Sequence, residues 1–156
     1  MRPLFQKSFI AALFTTVVLV AADQVTKWLA HRFIPPGGQV HVLSFFNLVN
    51  VINRGAAFGS LQGVSNTIFM AVAGIAVLLV LVLAYKERDN RAELVLVLSG
   101  AVGNLLDRVM FAHVRDFLDF HAGYHHWPAF NFADSYLTVG VALILLKGVF
   151  KTKRGR

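Results

Sequence analysis

Four long apolar segments constrain this chain more than any other feature of its sequence. They cover about residues 9–30, 67–85, 92–111 and 134–150 of 156. A helix needs roughly 20 mostly apolar residues to cross the hydrocarbon core of a bilayer. The chain is 56% hydrophobic and only 15% charged, which is more apolar than a soluble domain of this length. We therefore predict a single integral membrane domain over residues 1–156, in the all-α membrane class, with four transmembrane helices.

The first apolar segment has a second reading. Its basic start, apolar run and small residues before Asp23 are typical of a cleavable signal peptide. However, the helical pattern continues through "QVTKWLAHRF", and three further apolar segments follow. We therefore expect an uncleaved anchor.

The basic residues are distributed unevenly along the chain. Ten of the fifteen Lys and Arg lie in the N-terminus, the 86–93 loop and the C-terminal end, five of them within the last ten positions. Because cytoplasmic segments carry the excess of Lys and Arg, we predict that both termini are cytoplasmic and that segments 31–66 and 112–133 are extracytoplasmic. A basic tail behind an apolar helix favours contact with anionic membrane lipid, so the net charge of +7 does not indicate nucleic-acid binding.

The two extracytoplasmic segments differ in pattern. Segment 31–66 contains "QVHVLSFFNLVNVINRG", whose partial alternation and Val/Phe content predict a small β element lying on the membrane. Segment 112–133 is predicted to be a loop whose Tyr124 and Trp127 suit the membrane interface. The uncharged segment 67–85 is expected to serve as scaffold and lipid contact.

The acidic residues are also sorted by side. Three lie in the predicted cytoplasmic loop, and the other five are all aspartates at or near the predicted outer face: Asp23, Asp107, Asp116, Asp119 and Asp134. Ionisable groups at membrane depth are costly and mark functional sites by default. Their crowding at one face therefore predicts a site there.

Asp116 and Asp134 are the strongest candidates for chemistry. Two neighbouring carboxyl groups share one proton, because both do not ionise easily at short range. The ionised member takes a proton from water, and the protonated member donates to a carbonyl oxygen. Asp134 has a competing reading as the N-cap of its helix. Residue types and spacing alone leave the two readings open.

Other polar groups give weaker signals. The spacing of His121 and His125 permits metal binding only on a helix, and "HAGYHHWP" contains Gly and Pro, so solvated histidines are expected instead. Asp107–Arg108 and Asp23–Lys27 are expected to be ion pairs, the latter at i, i+4 spacing. The chain has no cysteine, which excludes disulfides and thiol nucleophiles.

Five short blocks, in order along the chain, resemble those of the lipoprotein signal peptidases, also called signal peptidase II. The blocks are "DQVTK" at 23–27, "NRGAAFG" at 53–59, "SGAVGNLLDR" at 99–108, "VRDFLDF" at 114–120 and "FNFADS" at 130–135. They extend over nearly the whole chain. The main departure is Ser99, where glycine is common, and it adds only a hydroxymethyl group.

The resemblance implies an aspartic endopeptidase of the bacterial inner membrane, with four helices and a small extracytoplasmic β-cradle. It implies cleavage of prolipoproteins directly before a cysteine that carries diacylglyceryl. Asp116 and Asp134 match the catalytic pair. Seven further residues match positions that line or support the site: Asp23, Lys27, Asn53, Gly55, Asn104, Arg108 and Asn131. Membrane lipid and the cyclic-peptide antibiotic globomycin are implied partners, and no metal or cofactor is expected.

Two other classes of protein stay open at this point. One is a proton-coupled transporter or channel that uses its intramembrane aspartates as a relay. The other is a membrane scaffold whose charges pair structurally. The acids lie at one face rather than along a path across the bilayer, and no inverted repeat is visible, which weighs against a transporter.

Overall fold

A computed structural model describes residues 2–55, 65–87 and 89–154, with side chains from 8 to 150 within those ranges. Four helices and four strands follow one another along the chain: α1 (Arg2–Phe33), β1 (Gln39–Leu43), β2 (Phe46–Asn53), α2 (Asn66–Lys86), α3 (Arg91–Phe111), β3 (Val114–Ala122), β4 (His125–His126) and α4 (Phe132–Arg154).

The four predicted apolar segments are all helical. Within the part of the chain that the structure describes, four helical stretches are long and apolar enough to cross a membrane: Ser8–Phe33, Asn66–Lys86, Arg91–Phe111 and Phe132–Phe150. Most of their apolar side chains point outward, as those of Val72, Ile75 and Leu145 do. Such an exposed apolar surface suits lipid rather than water. The predicted fold class, four membrane helices with a small sheet, is confirmed.

Helix α3 lies at the centre of the bundle and contacts the other three helices. Its contact with α4 is close because glycines face the partner backbone. A Cβ added at Gly100 would collide with the backbone oxygen of Ala133, and one at Gly140 would lie 2.9 Å from the backbone oxygen of Glu93. Small residues of this kind allow membrane helices to approach closely. Ser99, the departure from the family pattern, is fully buried and donates its hydroxyl to the Val95 carbonyl.

The sheet is antiparallel, with strand order β1-β2-β3-β4. Strand β2 confirms the β element predicted in segment 31–66. The register between β2 and β3 shifts between Leu48 and Val51, so that Leu48 faces Leu118 while Val51 faces Asp116. An irregularity of this kind re-aims the side chains of the bulged strand, and it commonly lies beside functional sites.

The prediction of a loop over residues 112–133 was wrong. Most of that segment is β3 and β4, and β3 is a central strand of the sheet. The first six residues of β3, 114–119, are all buried. A strand buried on both faces lacks the polar–apolar alternation that marks a half-buried strand, which explains why the pattern did not reveal it.

Candidate active site

Asp116 on β3 and Asp134 in the first turn of α4 are brought together by one residue, Asn131. The Asn131 side-chain Nδ2 donates to Asp116 Oδ1 at 2.7 Å, and its backbone N–H donates to Asp134 Oδ2 at 3.2 Å. The residue before it, Phe130, pairs with Leu118 across a β-bridge. This bridge attaches the start of α4 to β3, so the two aspartates are held on neighbouring pieces of backbone.

The structure answers the question of whether Asp134 is an N-cap. Asn131 directly precedes α4, and its Oδ1 accepts the Asp134 backbone N–H at 3.0 Å. In return Asp134 accepts the Asn131 backbone N–H. This reciprocal arrangement is a capping box, with Asn131 as the cap and Asp134 as its third helical residue. The reading of Asp134 as the cap itself was therefore wrong. One of its carboxylate oxygens takes part in the capping box, and the other faces Asn104.

Asp116 is almost completely buried, outside the four candidate spans. Burial, and to a smaller extent the negative charge of Asp134, raise the pKa of its carboxyl group to about 7. Hydrogen bonds from Asn53 and Asn131 oppose this shift because they favour the ionised form. A carboxyl group with such a pKa changes protonation state near neutral pH, which suits it to acid–base chemistry.

Asn104 and Lys27 connect Asp134 to a buried ion pair. Asn104 Nδ2 donates to Asp134 Oδ1 at 2.7 Å, while its Oδ1 accepts from Lys27 Nζ at 3.0 Å. Lys27 is fully buried and pairs with Asp23 at 2.8 Å. The expected Asp23–Lys27 pair is confirmed. Asp23 also accepts the backbone N–H of Ala133, so α1 contacts the first turn of α4 directly.

The expected Asp107–Arg108 ion pair was wrong. Asp107 pairs instead with Arg115, whose Nη2 and Nε lie 2.7 and 3.2 Å from its two carboxylate oxygens. The Arg115 backbone N–H donates to the same carboxylate at 2.9 Å. Adjacent residues on a helix point in different directions, which separates Asp107 from Arg108. The pairing attaches β3 to α3 one residue before Asp116.

Gln24 is a partly buried contributor that the sequence did not single out. Its side-chain Nε2 donates to Asp107 Oδ1 and to the Gly103 carbonyl, and its Oε1 accepts from Arg115 Nη2. The only sequence signal for Gln24 is its place within the "DQVTK" block, and for Arg115 its place before Asp116. Gly103 allows Asp23 of α1 to lie close to α3, since a Cβ added at this glycine would lie 2.7 Å from Asp23 Oδ2.

Asn53 and Gly55 form a turn at the end of β2. Asn53 Nδ2 donates to Asp116 Oδ2 at 2.9 Å, and Gly55 N–H donates to Asn53 Oδ1 at 2.9 Å. Gly55 has a φ of 94°, in a region that L side chains rarely adopt. The remaining positions of the "NRGAAFG" block, 56–59, lie outside the described residues.

Arg108 faces the two aspartates from α3. Its guanidinium interacts electrostatically with Asp116 and Asp134, and it lies 4.6 Å from the centroid of the Phe69 ring. Its Nη1 is buried and has no hydrogen-bond partner among the side chains that the structure describes. An unpaired buried donor is costly, so this N–H group is available to a bound carbonyl oxygen.

His121 lies on β3, and His125 and His126 form β4. His126 Nδ1 is 2.9 Å from Asp119 Oδ1, and Asn47 donates to Asp119 Oδ2 at 2.9 Å. Burial opposes ionisation of Asp119, but these hydrogen bonds hold its pKa below the ordinary value. Among the residues described, no group of three or more His, Asp or Glu side chains is arranged to hold a metal ion.

All nine residues singled out from the sequence therefore meet in one region, where the sheet joins α1, α3 and α4. Four carboxyl groups there (Asp23, Asp107, Asp116 and Asp134) face three basic side chains (Lys27, Arg108 and Arg115). One proton on the Asp116–Asp134 pair balances the charge of this buried cluster. The fold and the site together define a class: a four-helix membrane protein with two coupled aspartates at the junction of helices and sheet.

Comparisons with known proteins identify the family within that class. The family model described as signal peptidase (SPase) II matches residues 15–150. The chain belongs to the signal peptidase II family and is therefore a membrane peptidase.

Relatives and solved structures agree with this assignment. Proteins named lipoprotein signal peptidase are similar over most of their length. The one from Thermodesulfovibrio yellowstonii is 37% identical over 86% of this chain and 91% of the relative. The one from Paraburkholderia phymatum is 38% identical over 90% of this chain and 88% of the relative. A solved bacterial membrane enzyme structure, determined by the in meso method at 2.3 Å resolution, superposes with a TM-score of 0.84 at 31% identity, over 94% of this chain and 92% of the other.

Proposed function

We propose that this chain is a lipoprotein signal peptidase that cleaves prolipoproteins directly before a diacylglyceryl-modified cysteine, with Asp116 and Asp134 as its catalytic pair. The activity is supported by family membership and by the names of the relatives. The observation that carries the mechanism is the convergence of both carboxyl groups on Asn131. No other two acids among the described residues share a bridging side chain and lack a salt-bridge partner.

The chemistry follows from one shared proton. The ionised carboxylate takes a proton from a water molecule as the water oxygen attacks the scissile carbonyl carbon. The protonated carboxyl group donates its proton to the carbonyl oxygen, giving a neutral tetrahedral intermediate. Proton return to the departing amine nitrogen then breaks the C–N bond. The pKa of about 7 for Asp116 supports this scheme, because a carboxyl group with that pKa both holds and releases a proton near neutral pH.

The surrounding residues hold the pair in place. Asn53 donates to Asp116 Oδ2, and Asn104 donates to Asp134 Oδ1. Lys27 in turn donates to Asn104, and Asp23 accepts a backbone N–H at the start of α4. The Arg108 Nη1, which has no hydrogen-bond partner among the described residues, is suited to a carbonyl oxygen of the substrate backbone. Preorganised donors of this kind lower the barrier because they need no rearrangement during the reaction.

The proposed location is the bacterial inner membrane, with both termini cytoplasmic and the active site near the outer face. Lys and Arg are concentrated at the ends remote from the sheet, and this distribution supports the orientation. A site where the sheet joins the helices suits a substrate whose signal helix and lipid lie in the membrane. Water then reaches the scissile bond from outside.

A cleavage assay tests the function. Purified protein in detergent is mixed with a prolipoprotein, with and without diacylglyceryl on its cysteine, and mass spectrometry locates the cut. We expect one cut directly before the lipidated cysteine, which Asp116→Asn and Asp134→Asn each abolish. Globomycin is expected to inhibit this cut by occupying the same site.

A matched control comes from the same strand. Asp119 is also a buried aspartate of β3, but it pairs with His126 and not with Asp134. Asp119→Asn should therefore retain most of the cleavage activity. Equal cutting by Asp134→Asn and the unaltered protein would refute the catalytic pair. Cutting that ignores the lipid would refute the proposed substrate class.

A further inference from the structure

Phe69, in the first turn of α2, contacts two separate parts of the candidate active site. The guanidinium carbon of Arg108 lies 4.6 Å from its ring centroid. Gly55 also approaches the ring, and a Cβ added there would lie 2.5 Å from the ring atoms Cε2 and Cζ. One aromatic ring therefore contacts both the turn after β2 and the arginine of α3.

The contact with Gly55 bears on the orientation of Asn53. The Asn53 amide has one accepting oxygen and one donating nitrogen. Its oxygen accepts the Gly55 N–H, so its nitrogen is directed at Asp116. The position of the Gly55 backbone thus determines which end of the amide faces the carboxyl group. The Phe69 ring limits that position, since it fills the space beside the Gly55 Cα.

The contact with Arg108 bears on the opposite side of the pair. An aromatic face attracts a guanidinium without using its N–H groups as donors. Phe69 thus holds the guanidinium of Arg108, which interacts electrostatically with Asp116 and Asp134, while its buried Nη1 has no hydrogen-bond partner among the described residues. Helix α2 contacts Arg108 a second time, because Asn66 Nδ2 donates to its backbone oxygen at 3.2 Å.

We propose that Phe69 is a positioning residue that aligns Asn53 and Arg108 on the Asp116–Asp134 pair. This inference rests on the proposed function and deepens it. It also revises the expectation that α2 acts only as scaffold and lipid contact. Because Asn53 donates to Asp116 and Arg108 interacts electrostatically with both carboxyl groups, we expect loss of Phe69 to affect alignment in the chemical step more than substrate affinity.

The test measures kcat and KM of cleavage for Phe69→Leu and Phe69→Met. Both substitutions keep apolar volume but remove the aromatic face. We expect kcat to fall about ten-fold while KM changes less than about two-fold, because misaligned catalytic groups slow the step they catalyse. The matched control is Ile68→Ala on the same turn, whose side chain is 54% exposed and should leave kcat unchanged.

A double-mutant cycle separates alignment from loss of stability. Because Arg108 is one of the two groups that Phe69 aligns, Phe69→Leu should lower kcat by a smaller factor in an Arg108→Gln background than in the unaltered protein. A full ten-fold loss in that background, or an unchanged kcat in both Phe69 variants, would overturn the inference. Thermal unfolding in detergent is measured in parallel, and a kcat loss that tracks the melting temperature across Phe69→Leu, Phe69→Met and Ile68→Ala would also overturn it. Failure of the unaltered protein to cleave at all would instead reject the proposed function, and the inference with it.

Discussion

Asn131 is the residue whose substitution tests the site most sharply, because it performs two separable tasks. Its Nδ2 donates to Asp116, while its Oδ1 caps α4 through the Asp134 N–H. Alanine removes both interactions. Serine retains a good N-cap but is too short to reach Asp116. The pair Asn131→Ala and Asn131→Ser therefore separates the cap from the bridge.

The magnitudes follow from the two hydrogen bonds. A hydrogen bond to a charged group contributes about 1.5–3 kcal/mol, so loss of the bridge in the transition state lowers kcat/KM by roughly 10- to 150-fold. Loss of the cap costs about 1 kcal/mol of stability. We expect both variants to lose activity, and only Asn131→Ala to lose the additional stability of the cap.

The pH dependence provides a second readout of the same substitutions. The Asn131 hydrogen bond is one of the influences that lower the pKa of Asp116. Without it the pKa rises further, so the alkaline limb of the kcat/KM profile, where the shared proton is lost, should move to higher pH in both variants.

The assay combines cleavage of lipidated prolipoprotein between about pH 5 and 9 with thermal unfolding in the same detergent. Full activity in Asn131→Ser would refute the bridge. An activity loss in Asn131→Ala alone, parallel to its melting temperature, would show that Asn131 acts only as a cap.

Three further predictions concern the groups around the pair. Burial raises the folded-state pKa of Asp116 to about 7, above its value in the unfolded chain. The folded protein therefore binds more protons between about pH 4 and 7, and its stability falls as pH rises through that window. Melting temperatures measured across the window should fall less in Asp116→Asn than in the unaltered protein, and equal slopes would contradict this. Arg115→Met leaves the buried Asp107 charge without its bidentate partner, although Lys27 Nζ remains 3.5 Å away. We therefore expect destabilisation in denaturant unfolding below the about 3–5 kcal/mol of a fully unpaired buried charge. An unchanged midpoint would count against it. Gly103→Ala places a Cβ 2.7 Å from Asp23 Oδ2 and should lower the melting temperature. The control Gly74→Ala meets nothing within 4 Å and should be neutral or slightly stabilising. A similar effect of both substitutions would contradict the close packing at Gly103.

Secondary structure was predictable where the signal is local. The four apolar segments became helices within a few residues of their expected limits, because a run of about 20 apolar residues has few other solutions. Strand β3 was not predictable in the same way. Its buried residues 114–119 include two aspartates and an arginine, which read as a loop until their partners on α3 and β2 are known.

The residues of the site were predictable as a set, but their connections were not. Sequence blocks singled out all nine, yet Gln24 and Arg115 were missed because their roles depend on contacts that only the folded chain makes. The wrong pairing of Asp107 has the same origin. Arg108 is its neighbour in sequence, but the turn at Ala112, whose φ is 62°, returns the chain and brings Arg115 to it.

The sequence by itself determined the class of protein and the residue types at its site. Long apolar runs exclude a soluble fold, and five ordered blocks carry the family resemblance. Only the tertiary structure decided that Asn131 joins Asp116 to Asp134, that Asn53 reaches Asp116 across 63 positions, and that Phe69 lies against Arg108. Periodicity reports which face of a segment is apolar, whereas hydrogen bonds between distant side chains depend on strand register and helix packing. Those features arise from the whole chain at once.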